Sequence, residues 1–422
     1  MPAKSNPTSR QLRSNSPTTT REGKSGPLSI KKYFFQASKT NLFKDKNLKD
    51  HYRELGFGFF GEVGGLLSAL KKQERDKLVL ANKDVVAEEL GDALWYLVNM
   101  AEVAGLEMEK LASSAWMFLR SYFDEPARKP PSTITFRSLD GLSSQHHIQL
   151  SKNGEHPLRL LAQGAGAAVS RDLHALLKSG PNERELLFGR LLGELILVCA
   201  RHELKLEEIA HSNLLKIADR WPGQDPVYPP LSVYGEPHEQ LPTVLEVVFR
   251  QRKVGSRVLV FQQINGLNIG DPLTDNNHKA DGYRFHDVFH LAYAVHLGWS
   301  PVIRALLKLK RKSDARIDEN EDGARALIIE EGIATWIFNH STHQSPKHYA
   351  SVKRGRLDYF LLKQVRSLVA GFEVGTAPLW QWECAILDGF KIFRLLLEHK
   401  GGTVVANIAE HSMRFIPPEN LT

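Results

Sequence analysis

Along most of this chain apolar side chains recur every three or four positions, the spacing that gathers them on one face of an α-helix. From KKYFFQ (31–36) to DRWP (219–222) such runs are long and the breaks between them short. One stretch departs from the pattern: DEPARKPPSTITFRSLDGLSSQHHIQLSKNGEHP (124–157) is rich in Pro and Ser and reads as a connector holding one short strand. Pro and Gly cluster again in WPGQDPVYPPLSVYGEP (221–237). Beyond it, TVLEVVFRQRKVGSRVLVFQQI (243–264) alternates with period two around a glycine-containing turn, which predicts a β hairpin. Helical patterns resume near Tyr283 and run to the end. The fold class expected is therefore mainly α, with a small β hairpin in the C-terminal part.

An internal repeat lies inside the first helical region. EELGDALWYLVNMAEVAGLEMEKLASSAWMFLRSYF (88–123) aligns with RLLGELILVCARHELKLEEIAHSNLLKIADRW (190–221), allowing a two-residue gap. Upstream, GEVGGLLSALKK (61–72) corresponds loosely to GAGAAVSRDLHALLK (164–178). The division this implies is a basic tail (1–35), a first helical unit (36–123), the connector (124–157), a second, degenerate unit (158–222) and a C-terminal helical domain (223–422).

Charge adds little to that picture. The chain has 422 residues and a formal net charge of +7, but much of the excess sits in the first fifty residues. There Ser, Thr and Pro abound and large apolar residues are nearly absent, so a disordered tail is expected and nucleic-acid binding is not. No apolar run approaches the roughly 18 residues that a membrane span needs. Two cysteines, Cys199 and Cys384, and no hydrophobic signal segment point to a reducing, cytoplasmic location.

Candidate chemistry concentrates in two places. In the first, Glu88, Glu89 and Asp92 sit within five positions of a helix that also carries Leu90, Leu94, Leu97 and Val98. Glu89 and Asp92 share a face, and Glu88 joins Asp92 from one turn back. Carboxylates this close repel each other unless a cation compensates them, and a hard divalent ion with oxygen ligands does so. Glu62, on an earlier helix among Gly61, Gly64 and Gly65, would face them if the two helices pack antiparallel. From the residues alone, a surface helix whose acids face water, with the glycines marking a loop, stays open as the alternative.

GEVGGLLSALKK followed by EELGDALWYL resembles the MazG-type all-α nucleoside triphosphate pyrophosphohydrolases, whose pattern is E-x-x-E on one helix and E-x-x-D on the next. The resemblance implies that Glu62, Glu89 and Asp92, with Glu88 beside them, hold Mg²⁺ (or Mn²⁺) on a nucleotide substrate, which water cleaves to a monophosphate and pyrophosphate. The second acid of the pattern falls on Gly65, a departure from the family. In the second repeat the counterparts of Glu88 and Glu89 are Arg190 and Leu191, and only Glu194 stays acidic. That repeat ends in NLLKIADRWP, similar to the N-x-x-K-x-x-x-R tail of many MazG-type sequences, with Asn213, Lys216 and Arg220 in place. The first repeat has Ala115, Phe118 and Tyr122 there. The acids survive in one copy and the phosphate-binding groups in the other, so the chain resembles a fused dimer with one composite site. Such proteins commonly pair, and a homodimer of this chain is compatible with the resemblance. A nucleotide-sensing scaffold that binds without cleaving is the alternative, and Gly65 favours it.

The second concentration is IGDPLTDNNHKADGYRFHDVFHLAYAVHLGW (269–299). His286 and His290 stand four apart with Asp287 between them, and DGARALIIEEGIATWIF (322–338) adds Glu330 and Glu331. IIEEGIATWIF also looks like VAEELGDALWYL, which suggests a third, remodelled MazG-like unit. Asp287, His290 and Glu330 or Glu331 would suit Mn²⁺, Zn²⁺ or Fe better than Mg²⁺, because imidazole is the softer ligand. A metal-dependent phosphohydrolase using this cluster, and a buried polar network with no ligand, are both open.

Overall fold

A computed structural model describes residues 26–76, 82–223, 226–228, 235–343 and 347–418. The larger part of the expected basic tail, residues 1–25, lies outside them. The chain divides into two compact units, Met1–Lys216 and Ile217–Thr422. It is mainly α-helical, 61 % helix, with a five-stranded antiparallel sheet in the C-terminal part. No described helix is long and apolar enough to cross a membrane.

The first unit is all helical. It contains α1 (Ile30–Ala37), α2 (Leu48–Asp76), α3 (Asn82–Val103), α4 (Met108–Tyr122), α5 (Phe136–Gln145), α6 (His147–Lys152), α7 (His156–Val169), α8 (Leu173–Lys178), α9 (Pro181–Arg201) and most of α10 (Leu206–Arg220). Helix α1 starts inside the stretch expected to be tail, because the Ser29 side chain accepts a hydrogen bond from Lys32 N and so caps its first turn. In α2, Tyr52, Leu55, Phe59, Val63 and Leu66 are buried at helical spacing, and α2 packs along α3. Helix α9 is apolar on every side from Leu195 to Cys199 and sits centrally, against α3, α4 and α7.

The stretch 124–157 is not a plain connector: it holds α5 and α6. Thr135 and Ser138 form a reciprocal capping box that starts α5, and Thr135 makes the short bridge to Ser29 that replaces the expected strand. Asp140, buried on α5, accepts hydrogen bonds from Leu206 N and Glu207 N and thereby caps α10.

The second unit combines helices with the sheet. Strands β1 (Val244–Val254) and β2 (Arg257–Ile264) form the expected hairpin, followed by β3 (Leu267–Leu273). Helices α11 (Asp287–Leu297), α12 (Pro301–Leu306), α13 (Ala315–Asn320), α14 (Ala324–His343), α15 (Tyr359–Leu368) and α16 (Leu379–His399) come next, then β4 (Gly401–Asn407) and β5 (Ser412–Ile416). The strand order is β3-β2-β1-β4-β5, all antiparallel, with β3 and β5 at the edges. Leu245, Val247 and Phe249 alternate inward from β1 into the core. Helices α11 and α16 pack together and against β4 and β5. The last two strands fall where the sequence predicts helix. Lys400 and Gly401 turn the chain out of α16 with positive φ of 55° and 133°, and β4 returns beside β1 at once. Helix α14, the segment that looked like a third acidic helical unit, packs against α11, α12, α13 and α15 of this mixed unit.

Candidate functional site

The acids of α2 and α3 and the polar tail of α10 meet in the first unit. Lys216 Nζ lies 2.9 Å from Glu88 Oε1 and 2.5 Å from Asp92 Oδ2. Asn213 Nδ2 donates to Asp92 Oδ1 at 3.1 Å, and the buried Tyr33 hydroxyl donates to Asn213 Oδ1 at 2.8 Å, which fixes the amide's orientation. Gly91 allows the approach, since a Cβ there would lie 3.3 Å from the Asn213 side chain. Tyr33 is a residue that sequence patterning missed, because its partner lies 180 positions away.

Glu62 faces the same acids. Burial, then the charge of Asp92 and a hydrogen bond with Glu89, push its carboxyl up to about 8, against the pull of Lys216. The crowding of acids therefore favours the neutral form of Glu62 at neutral pH. Burial pushes the neighbouring Tyr96 hydroxyl to about 12, with Glu62 and Asp92 adding to the effect. Gly65, where the family pattern has its second acid, lies under the Glu89 carboxylate: a Cβ there would come within 2.4 Å of Glu89 Oε2. The missing side chain is what lets Glu89 fold back toward Glu62. An all-oxygen donor set that must hold a proton to stay together fits a hard divalent cation. The fit is loose: among the described residues, the single group of three His, Cys, Asp or Glu with ligand atoms mutually within 4.8 Å lies elsewhere.

Arg220 is engaged away from phosphate chemistry. It is 1 % exposed and donates to Glu383 through Nη1 at 2.5 Å and Nη2 at 3.3 Å, with Nη2 also reaching the Leu357 carbonyl at 2.8 Å. Its spacing from Asn213 and Lys216 fits the motif, but its side chain belongs to the core of the second unit.

Glu194, the one acid left in the second repeat, is fully buried, with Arg190 Nε 2.6 Å from Oε1. Its Oε2 has no hydrogen-bond partner and lies over Gly164, where a Cβ would come within 2.5 Å. Burial pushes this carboxyl up to about 7, with Arg190 opposing. A carboxyl raised above its unfolded value favours the fold at low pH and loses that contribution as pH climbs through the folded value. Unfolding free energy measured by denaturant titration should fall by about 1–3 kcal/mol between pH 5 and pH 8 on this account, and the Glu194→Gln variant should show a flatter profile. Equal slopes in parent and variant would refute the assignment.

In the second unit the His and Glu residues also converge, with roles that differ from the expected ones. His286 Nδ1 donates to the Tyr283 carbonyl at 2.9 Å, leaving Nε2 3.1 Å from Asp287 Oδ1 and 3.6 Å from Glu331 Oε2. His290 Nδ1 donates to Glu330 Oε1 at 2.8 Å, and its Nε2 lies 3.5 Å from Glu331 Oε2. Glu330 is fully occupied behind His290, accepting also from the Ser300 hydroxyl at 2.6 Å and Val302 N at 2.8 Å. Asp287 is held from β2 by Gln262. Burial alone would lower the His290 pKa, but Glu330 and Glu331 together push it well above the usual range. Burial would likewise raise Glu331, yet the two imidazoles hold it well below the usual carboxylate range. Beside this group a cavity of about 630 Å³ is lined by Asp275, Asn277, Asp281, Tyr283, Thr335 and Asn339, among others. Ser300, Tyr283 and Gln262 were not singled out from the sequence. The Ser-Pro start of α12, where the Ser300 side chain accepts from Ile303 N, was the available signal for the first of them.

Compared with known families, residues 232–419 match the model described as the MazG C-terminal domain, which supports a MazG-type family for this chain. The match does not reach the N-terminal repeat. Neither the curated proteins nor the solved structures contain a match.

Proposed function

We propose that this chain of MazG type is a nucleotide pyrophosphohydrolase, converting a nucleoside or deoxynucleoside triphosphate to its monophosphate and pyrophosphate in the first unit. The observation that carries this is the meeting of Lys216 and Asn213 from α10 with Glu88 and Asp92 from α3. Glu62, Glu89 and Asp92 would hold Mg²⁺, with Mn²⁺ a substitute. When bound, that ion supplies Lewis acidity and charge neutralisation for attack of water at phosphorus.

The remaining work falls to the chain's own side chains. Lys216 is a flexible ammonium already drawn to Glu88 and Asp92, and a triphosphate oxygen is an equivalent partner that it can take in exchange. Asn213, its carbonyl oxygen tied to Tyr33, keeps its amide N–H groups toward the acids and can donate to a substrate oxygen. Glu88 then remains beside Lys216 to hold the ammonium in register. Exchanging one charged partner for another costs little reorganisation, which suits a group that must act on arriving substrate.

A second function rests on Gly65. With the second acid of the pattern absent and Glu89 folded over its place, the unit would bind nucleotide without turning it over. Assay of pyrophosphate release from a panel of NTPs and dNTPs, in parent and Lys216→Met, separates the two. Turnover by the parent that falls about tenfold in the variant, mainly through KM, supports hydrolysis. Saturable nucleotide binding with no pyrophosphate selects the sensing role. A variant as active as the parent would remove Lys216 from the site.

A further inference from the structure

The His286, His290 and Glu331 group plays no part in the chemistry assigned to the first unit, and its geometry is hard to explain as packing. A buried histidine retained for structure ordinarily has both ring nitrogens satisfied. His290 is completely buried, yet its Nε2 makes no well-formed hydrogen bond and has only the long contact of 3.5 Å to Glu331 Oε2. That nitrogen, the Nε2 of His286 and an oxygen of Glu331 all lie within 4.8 Å of one another.

Each imidazole is also oriented from behind. A backbone carbonyl can only accept, so the Tyr283 contact places the proton of His286 on Nδ1 and directs Nε2 inward. Glu330 does the same for His290, and is itself fixed by Ser300 and by Val302 N. Carboxylate and carbonyl groups behind histidine ligands set tautomer and ring direction at metal centres. Two helices contribute: α11, with His286 at its threshold and His290 one turn into it, and α14, with Glu331. The result is a pair of imidazole nitrogens and one carboxylate aimed at a common point, with backing groups already in place.

We propose that His286 Nε2, His290 Nε2 and Glu331 bind a divalent transition-metal ion, as a centre separate from the acids of the first unit. Two imidazoles and a carboxylate favour Zn²⁺, Co²⁺, Mn²⁺ or Fe²⁺ over Mg²⁺, which prefers oxygen ligands and keeps its waters. Glu331 borders the polar cavity, so solvent and small solutes reach the ion from that side. Asp287 is the competing partner of His286 Nε2 at 3.1 Å, and Gln262 holds its other oxygen away.

The full chain, stripped with a chelator and titrated with Co²⁺ at neutral pH, tests this. One ion per chain should bind with visible ligand-field absorption, Zn²⁺ should displace it, and millimolar Mg²⁺ should not. Glu331→Gln changes a partly exposed side chain and should weaken Co²⁺ binding at least tenfold with an unchanged circular dichroism spectrum, and His286→Ala should do likewise. Glu89→Gln should leave the band untouched, which separates this centre from the proposed hydrolase site. Absence of the visible band in the parent, or Co²⁺ binding of equal strength in Glu331→Gln, would overturn the proposal.

Discussion

Substituting Glu89 by Gln should cut pyrophosphate release by about 100-fold or more, a loss of roughly 3 kcal/mol in transition-state stabilisation. The amide has the same shape as the carboxylate, so the α2–α3 packing should persist. Its charge is gone, and with it one of the three acids assigned to the cation. The same substitution relieves a repulsion. Glu62 is pushed up to about 8 by burial and its acidic neighbours, Glu89 among them. With Glu89 neutral, an ionised Glu62 meets one opposing charge fewer, so the metal-free variant should unfold at a higher temperature than the parent above pH 8, where Glu62 loses its proton. Activity and stability are expected to move in opposite directions, as they do where a fold tolerates strain for a function. Added Mg²⁺ should stabilise the parent more than the variant. Thermal melts with and without the ion, beside the pyrophosphate assay, check all three statements. A Glu89→Gln protein with full activity would end the hydrolase proposal.

Replacing Arg220 by Met should destabilise the second unit by about 3–5 kcal/mol. Glu383 is 3 % exposed and accepts from Arg220, from Gly355 N at 2.9 Å and from Leu357 N at 2.8 Å. Methionine fills much of the volume but leaves that carboxylate buried and short of its counter-charge. Adding Glu383→Gln should recover part of the loss, because the uncompensated charge goes while an acceptor for one backbone N–H remains. Denaturant unfolding followed by tryptophan fluorescence reports on this unit through Trp299, Trp336, Trp380 and Trp382. A single variant within about 1 kcal/mol of the parent would mean that the pair is not holding the core.

Arg220 also shows where spacing stops being informative. Asn213, Lys216 and Arg220 recur at three and four positions, and that periodicity correctly places all three on α10. What each side chain meets depends on residues over a hundred positions away, which periodicity does not encode. The acidic helices were legible because their apolar stripes are long and regular. The stretch 124–157 was not, because Pro126, Pro130 and Pro131 dominate its composition and hide the capping box at Thr135 and Ser138. Strands β4 and β5 are short and follow a strongly helical run, so their alternation spans too few residues to stand out. In the second unit the pairing of His286 and His290 with an acidic helix could be read directly. Which of Glu330 and Glu331 faces them could not, since neighbours on a helix diverge by about 100° and either face was plausible from sequence. The structure turns Glu331 toward both imidazoles and sets Glu330 behind one of them.

The two edges of the sheet have a bearing on how concentrated this protein can become. An open strand offers unpaired amides to any other chain, the usual route to aggregation. Here β3 carries Pro272, which has no N–H to give, and its pairing with β2 is interrupted by a bulge between Val260 and Gln262. At the far side β5 spans only Ser412–Ile416, presents the exposed Arg414, and runs straight into Pro417 and Pro418. Each border thus ends its own ladder, so crowding should favour dispersed molecules over strand-to-strand fibres.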